Sequence, residues 1–310
     1  MRIASVISEL KRRGFANAGQ LALSPEEGRE LGKLSREVCD KLPPGHTDLL
    51  NAEDGAGGVR GIPTHHPRIA ELLNRVVSTP AVQSILESVM GPTYKIWQIN
   101  FRRSLPSDKG LELHQDARGQ VNLCISLSEN KTGDGATVFM PSTHLLRERL
   151  RDINMGVPPG KFRFLGPLLT PLTAKVGDIG FLFNRTWHGR APNRSDKVQD
   201  IIMIAFYPAG AHLNLKPPYL NWSQEFLRSI QGTRMGDLID PSIGTELESD
   251  GRYRILALKS ARREPMPFSL EIDEYPGDRN HRTNYRLKFS MMFLRNIKRA
   301  GKPFKRLLRK

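Results

Sequence analysis

Cysteine is almost missing from this chain. Cys39 and Cys124 are the two found in 310 residues, too few for a disulfide framework or a thiolate zinc cluster. The expected compartment is therefore a reducing one. No run of about 18 apolar residues could cross a bilayer, and no apolar stretch near the start resembles a secretory signal. These absences predict a soluble or peripheral protein of the cytoplasm. Aromatic residues are sparse at 7%, yet with 38% hydrophobic residues overall there is enough for a core, which excludes wholesale disorder. The length suits one large domain with extensions or two ordinary ones.

Acidic residues are absent from the last stretch, Arg286 to Lys310, which carries ten Lys and Arg. The whole chain is at +15, so the remainder is left near +5, ordinary for a cytoplasmic enzyme. Phe289, Met292, Phe293, Ile297, Phe304, Leu307 and Leu308 are interleaved with those cations. The pattern predicts a helix from about Arg286 to Arg299, then a Gly-Lys-Pro break and a short turn. Apolar and cationic groups together suit a helix lying in an anionic membrane interface, with Arg295, Lys298, Arg299, Lys305 and Arg306 as contacts. Nucleic-acid phosphates also attract Lys and Arg, and a solvated tail without a partner is the bland alternative. The apolar anchors favour the inner face of a membrane.

Along the rest of the chain, residues 3–12 predict a short amphipathic helix. Ser24-Pro25-Glu26-Glu27 predicts a helix start with a capping box and Pro at the first position, running to about Leu42. Residues 45–66 are Gly-rich and polar, predicting a loop, with 51–61 placed like a lid. Helical spacing returns over 66–90, with a break near Thr79-Pro80. From Thr93 the period becomes two. Strands are expected at 94–101, 119–128, 136–140, 172–176, 180–183 and 200–207, and a helix or turn at 145–153. Beyond Pro208 the spacing predicts a helix at 223–229, a loop over 232–251, a strand or short helix at 253–258 and a linker over 262–284. Short strands between Gly, Asp and Pro turns imply a mainly β fold with flanking helices, a sandwich or jelly roll. The expected organisation is a domain over 1–210, an extension over 211–285 and the basic tail over 286–310.

The chemistry concentrates in Leu113-His114-Gln115-Asp116 and, some seventy residues on, Thr186-Trp187-His188. On an extended strand His114 and Asp116 point to one face, because side-chain direction repeats every second residue. Two histidines and a carboxylate fill one face of an octahedral metal and leave the other open, the arrangement of non-haem Fe(II) oxygenases. A His-x-Asp tripeptide alone is also a common accident. Its neighbours raise it: Gln98-x-Asn100-Phe101, then Gly133-x-Gly135-Ala136-Thr137-Val138-Phe139-Met140-Pro141-Ser142-Thr143-His144, then Gly177-Asp178-Ile179-Gly180-Phe181 and Asn193-x-Ser195.

In order and spacing these segments resemble the phytanoyl-CoA dioxygenase family of Fe(II)/2-oxoglutarate oxygenases, from Gly14-Phe15 to about Pro208. The resemblance implies a double-stranded β-helix (jelly-roll, cupin-like) core with the N-terminal helices packed outside. It implies His114, Asp116 and His188 as Fe(II) ligands, with 2-oxoglutarate as cosubstrate, O2 as oxidant, and hydroxylation of an unactivated carbon. Gln98 and Asn100 are expected as contacts of the cosubstrate. The family's arginine for the distal carboxylate falls eleven residues after the second histidine, and here that place is Gln199. An amide lacks the charged bidentate fork, so Arg194, Lys197, Arg102 or Arg103 would have to supply the charge, or 2-oxoglutarate binds differently. Arg102, Trp187 and His144 are expected around the substrate, although Trp187 equally suits the core and His144 a turn. Cys124, alternating with Leu123 and Ile125, reads as packing. A substrate presented at the membrane, such as a lipid, lipid-linked sugar or glycolipid precursor, would account for the tail. An oxygenase acting on nucleic acid and a non-catalytic jelly-roll binding protein stand as alternatives. Halogenation is disfavoured, since Asp116 would occupy the position a halide needs.

Overall fold

The computed structural model describes residues 3–46, 48–50, 56–115, 119–131, 133–145, 159, 165, 168–208, 222–239, 245–247 and 253–255. The first helix, α1 (Ile3–Arg13), buries Val6 and Leu10. It runs through Gly14 into a short strand, β1 (Phe15–Asn17). Helix α2 (Pro25–Lys41) starts as its sequence demands: Ser24 Oγ accepts from the Glu27 amide at 3.2 Å, and the Glu27 carboxylate accepts from the Ser24 amide at 2.9 Å. Two further helices, α3 (Pro67–Ser78) and α4 (Pro80–Met90), are separated where Thr79 turns extended ahead of Pro80.

Ten strands, β1 among them, then build two antiparallel sheets. The larger is ordered β1-β8-β5-β10-β3-β2, where β2 is Ala56–Arg60, β3 Tyr94–Ser104, β5 Val121–Ser126, β8 Ile179–Phe183 and β10 Gln199–Pro208. The smaller is β4-β9-β6-β7, with β4 Leu111–His114, β6 Thr137–Phe139, β7 Thr170–Pro171 and β9 His188–Arg190. One face of the large sheet meets the helices: Ile99, Phe101, Leu123, Ile125, Ile202, Ile204 and Phe206 join the helix side chains in one buried cluster. Its other face meets the small sheet through Phe15, Cys124, Phe139, Leu172 and Leu182. Strands with a core on both sides of their sheet are buried at every position, as β5 and β8 are.

Several elements differ from the local sequence signals. Residues 45–66 are not all loop: β2 pairs with the edge of β3, and a 3-10 turn spans Ile62–His65. Gly57 and Gly58 carry no periodicity, and the strand exists because β3 offers an unpaired edge. The strand expected over 172–176 sits two residues earlier at β7. Within 232–251 lie a helix, α6 (Arg234–Leu238), and a strand, β11 (Thr245–Leu247), which pairs with β12 (Tyr253–Ile255). Helix α5 (Gln224–Ser229) packs on the Ile62–His65 turn and α6 docks on α3 and β3: the Met235 amide donates to Asn74 Oδ1 at 3.0 Å, and Lys95 Nζ donates to the Asp237 carbonyl at 2.7 Å. Trp222, Phe226, Ile230, Met235 and Leu238 belong to the main buried cluster. The segment 222–239, assigned on sequence to an extension beyond residue 210, is thus part of one core. Residues 146–153, the linker over 262–284 and the basic tail over 286–310 lie outside the described residues.

Candidate metal and cosubstrate site

Register decides the site. Strand β4 pairs with β9, matching Leu111 with Arg190 and His114 with His188, so three steps on one strand meet two on the other. The extra residue is a bulge at Glu112–Leu113, and it turns His114 onto the face that carries His188. A β-carbon on Gly189 would lie 2.7 Å from the Leu111 carbonyl oxygen, so the close backbone approach at the bulge requires glycine. The two imidazole centroids end 4.4 Å apart.

Each ring is held the same way. His114 Nδ1–H donates to the Glu112 carbonyl at 2.8 Å, and His188 Nδ1–H donates to the Thr186 carbonyl at 2.8 Å. A carbonyl can only accept, so these bonds assign the tautomer and make Nε2 the ligating nitrogen on both rings. Phe139 packs beside His188 with centroids 6.4 Å apart, and Phe139 itself stacks on Phe15 at 4.3 Å. The residue after His114 is tied as well: Gln115 Nε2 donates to the Arg185 carbonyl at 2.6 Å. Asp116, the third ligand expected from sequence, lies outside the described residues. Among those that are described, no cluster of three metal-binding side chains occurs, and the fit of a metal rests on this oriented histidine pair with a carboxylate two residues beyond His114.

Beside the apolar cluster of Phe15, Cys124 and Leu182, the inward face of the large sheet carries a row of polar residues. Antiparallel register aligns Gln98 with Ala205 and Asn122, Asn100 with Met203 and Cys124, Arg102 with Ile201 and Ser126, and Ser104 with Gln199. A bulge leaves Trp97 unmatched between Gln98 and Ile96, so Gln98 and Asn100 face inward while Ile96 stays on the helix side. Asn100 Nδ2 donates to Gln98 Oε1 at 3.0 Å, leaving the buried Asn100 Oδ1 without a protein donor. Gln199 heads β10, buried, its Oε1 accepting from Ser128 Oγ at 2.9 Å. Arg102, Ser126, Ser128, Thr137, Arg190 and Gln199 line one small cleft, about 30 Å³. The alternation that puts Val121, Leu123 and Ile125 on one face of β5 puts Asn122 and Ser126 on the other, so these polar groups were legible in the sequence.

Other expected residues go elsewhere. Arg194 is exposed on the turn before β10 and does not line the cleft. Arg103 also borders the cleft, but its guanidinium is engaged by carboxylates, donating to Asp40 at 3.1 Å and lying 3.6 Å from Asp200. His144 turns away from a substrate role: its Nε2–H donates to the Lys11 carbonyl at 2.9 Å and its ring lies 5.3 Å from that of Phe183. Burial pushes it below the usual imidazole range, so it is a neutral clasp on the end of α1. Trp187 is buried, with its amide donating to Thr143 Oγ1 at 2.9 Å and its indole N–H without a protein acceptor. Cys124 is fully buried between the sheets, and burial raises its thiol to about 12, which makes it packing and not a nucleophile. The Asn193-x-Ser195 motif is structural: Asn193 Oδ1 accepts from the Ser195 amide and hydroxyl, and its Nδ2 donates to the Lys197 carbonyl at 2.8 Å. The loop 51–55 and the five tail cations Arg295, Lys298, Arg299, Lys305 and Arg306 lie outside the described residues.

No protein-family model matches the chain. A curated relative, dioxygenase af480 of Aspergillus fumigatus, is 22% identical over 177 residues, 54% of this chain and 53% of that protein; the chain spans about half the length of the curated relative it matches. Among solved structures, the non-heme alpha-ketoglutarate-dependent carbocyclase SnoK from nogalamycin biosynthesis superposes with a TM-score of 0.55 at 17% identity, covering 76% of this chain and 92% of that one. HygX from Streptomyces hygroscopicus, crystallised with nickel, 2-oxoglutarate and hygromycin B, superposes with a TM-score of 0.50 at 15% identity, covering 66% and 87%. At these identities the likeness is one of fold, and the fold is the one these 2-oxoglutarate-dependent proteins use.

Proposed function

We propose that this chain is a non-haem Fe(II)/2-oxoglutarate-dependent oxygenase of the phytanoyl-CoA dioxygenase type, its sandwich a double-stranded β-helix. One observation carries it. His114 and His188 face each other across a bulged strand pair, each with Nδ1–H tied to a backbone carbonyl, and a carboxylate, Asp116, follows two residues after the first. Such a set is hard enough for Fe(II) and leaves coordination positions for a chelating keto acid and O2. Held by His114, His188 and Asp116, Fe(II) with 2-oxoglutarate and O2 would supply oxidative chemistry in which decarboxylation of the keto acid to succinate and CO2 is balanced by hydroxylation of a substrate C–H bond.

The protein's own groups do the positioning. Glu112 and Thr186 carbonyls orient the imidazoles, Phe139 keeps water from the inner side of His188, and the amides of Gln98 and Asn100 offer donors and acceptors to the bound acid. SnoK and the 2-oxoglutarate-bound HygX support the cofactor assignment through a similar fold, and dioxygenase af480 through similar sequence. The substrate is a small molecule; the basic, apolar-studded tail over 286–310 supports one presented at an anionic membrane, such as a lipid-linked sugar or glycolipid precursor.

The test is anaerobic titration of the Fe(II)-loaded protein with 2-oxoglutarate, watching for the metal-to-ligand charge-transfer band in the visible. The band should appear, and be lost in Asp116→Ala and His188→Ala. Iron binding without a band would instead favour a jelly-roll protein that binds without turnover. For the tail, removing 286–310 should abolish sedimentation with anionic vesicles; unchanged binding would end the membrane assignment.

A further inference from the structure

Resting on that function, we propose that Gln115 is a positioning residue of the metal site, its side-chain amide locking the segment of His114 and Asp116 to the turn that orients His188. Strand β4 stands at the edge of its sheet with β9 as its neighbour, and their pairing reaches His114 opposite His188. One residue further on, the tie is a side chain. Gln115 Nε2 donates to the Arg185 carbonyl at 2.6 Å, a bond between positions 70 residues apart.

The acceptor belongs to a turn with little freedom, Asn184-Arg185-Thr186. The Phe183 amide donates to the Gly14 carbonyl at 2.9 Å, the Asn184 amide to the Gln120 carbonyl at 3.0 Å, and the Thr186 amide to the Phe183 carbonyl at 2.8 Å. The Thr186 hydroxyl adds a bond to the Gly14 carbonyl at 3.1 Å, and Asn184 and Thr186 are fully buried. Its last carbonyl, that of Thr186, accepts from His188 Nδ1. Residues 116–119 are therefore bracketed: Gln115, before them, bonds Arg185, and Gln120, after them, is bonded by Asn184. One three-residue turn thus holds both flanks of the stretch that begins with Asp116, together with the ring of His188. Ligands from two distant parts of the chain are set against each other before a cation arrives, which is how partners outside the coordination sphere raise metal affinity.

The residue type fits the task. A carbonyl only accepts, so the partner must donate. Glutamine supplies a neutral donor at this reach, asparagine is one methylene shorter, and ionised glutamate has no donor. A lysine or arginine would donate too, but would set a positive charge between two ligands of a divalent cation.

The experiment titrates the metal-free protein with Co(II) in place of Fe(II), reading affinity and the visible d–d bands, and measures the urea midpoint of each variant. Gln115→Met keeps the length and loses the donor. Ser24→Ala removes the cap of α2 and serves as the control for lost stability. Gln115→Met should weaken Co(II) binding roughly 10- to 100-fold and alter the d–d bands, whereas Ser24→Ala should lower the urea midpoint and leave affinity and bands as in the parent. Gln115→Asn, which keeps the amide but shortens it, should show the same losses, and decides the matter if the methionine variant does not fold. Parent-like affinity and bands in the Gln115 variants would overturn the assignment while the proposed function stands. So would equal weakening in the Gln115 and Ser24 variants, in step with their urea midpoints. If the parent forms no Co(II) complex that His188→Ala abolishes, both readings fall.

Discussion

Gly14 lies against His144. Its φ is +87°, and a β-carbon added there would stand 2.6 Å from His144 Nδ1 and closer still to Thr186 Oγ1. Three chain segments meet at this residue: the Gly14 carbonyl accepts from the Phe183 amide at 2.9 Å and from the Thr186 hydroxyl at 3.1 Å, and His144 clasps Lys11 just upstream. Thr186 is also the residue whose carbonyl orients His188, so a packing contact at the end of α1 is two bonds from the histidine pair.

Gly14→Ala is accordingly expected to cost at least ~2 kcal/mol, combining left-handed backbone with steric conflict. Urea denaturation would report it, and a shift under ~0.5 kcal/mol would show that the junction relaxes. Because Thr186 moves with it, iron affinity should fall as well.

Asp200 is adjacent to Gln199 but faces the helices. Its side chain is 1% exposed and receives Arg36 Nη1 at 2.6 Å. Burial raises the Asp200 carboxyl above its ordinary value, and Arg36 works against that rise. A raised carboxyl binds protons more readily in the folded state, so its contribution to stability declines as pH climbs from about the unfolded value through the folded one. Arg36→Ala leaves the charge buried with less compensation and raises the carboxyl further. Since Arg36 is itself 41% exposed, solvent screening reduces the loss to roughly 1–3 kcal/mol at neutral pH. The penalty should be smaller near pH 4.5 than at pH 7; chemical denaturation at both values checks it, and an equal loss at both would contradict the account.

The docking of α5 and α6 bears on where this domain ends. A chain stopped at residue 221 would strip Trp222, Phe226, Ile230, Met235 and Leu238 from the core and leave the surfaces they cover in water. Each buried side chain of this size is worth roughly 1.5–3 kcal/mol, together comparable to the whole stability of an ordinary domain. That shortened chain should be insoluble or fail to unfold cooperatively, whereas one stopped at 255 should melt sharply. Cooperative melting of both would place the boundary near residue 210 after all.

Short-range physics made much of this protein legible in its sequence. The Ser24 capping box, the Pro80 break between α3 and α4, and the two-residue alternation through β3 and β5 are all settled by neighbours within a few positions. The same alternation turned Gln98 and Asn100 inward, while Gln199 was singled out by the resemblance to the phytanoyl-CoA dioxygenase family, whose arginine it replaces. What it could not supply was register across strands. The bulge at Glu112–Leu113 that brings His114 onto the face of His188, and the bulge at Trp97, depend on which strand lies alongside. So do the pairing of β2 with β3 and the folding of 222–239 onto α3, since edge hydrogen bonds and an apolar face are satisfied only by a distant partner. His144 shows the difference well. Its sequence context allowed a site or a turn, and the carbonyl of Lys11, 133 residues away, decided for the turn. The sequence alone named the residues able to bind metal and flagged the missing cation at 199; only the tertiary structure, by stacking one strand's register on the next, tied Gln115 to the turn that orients His188.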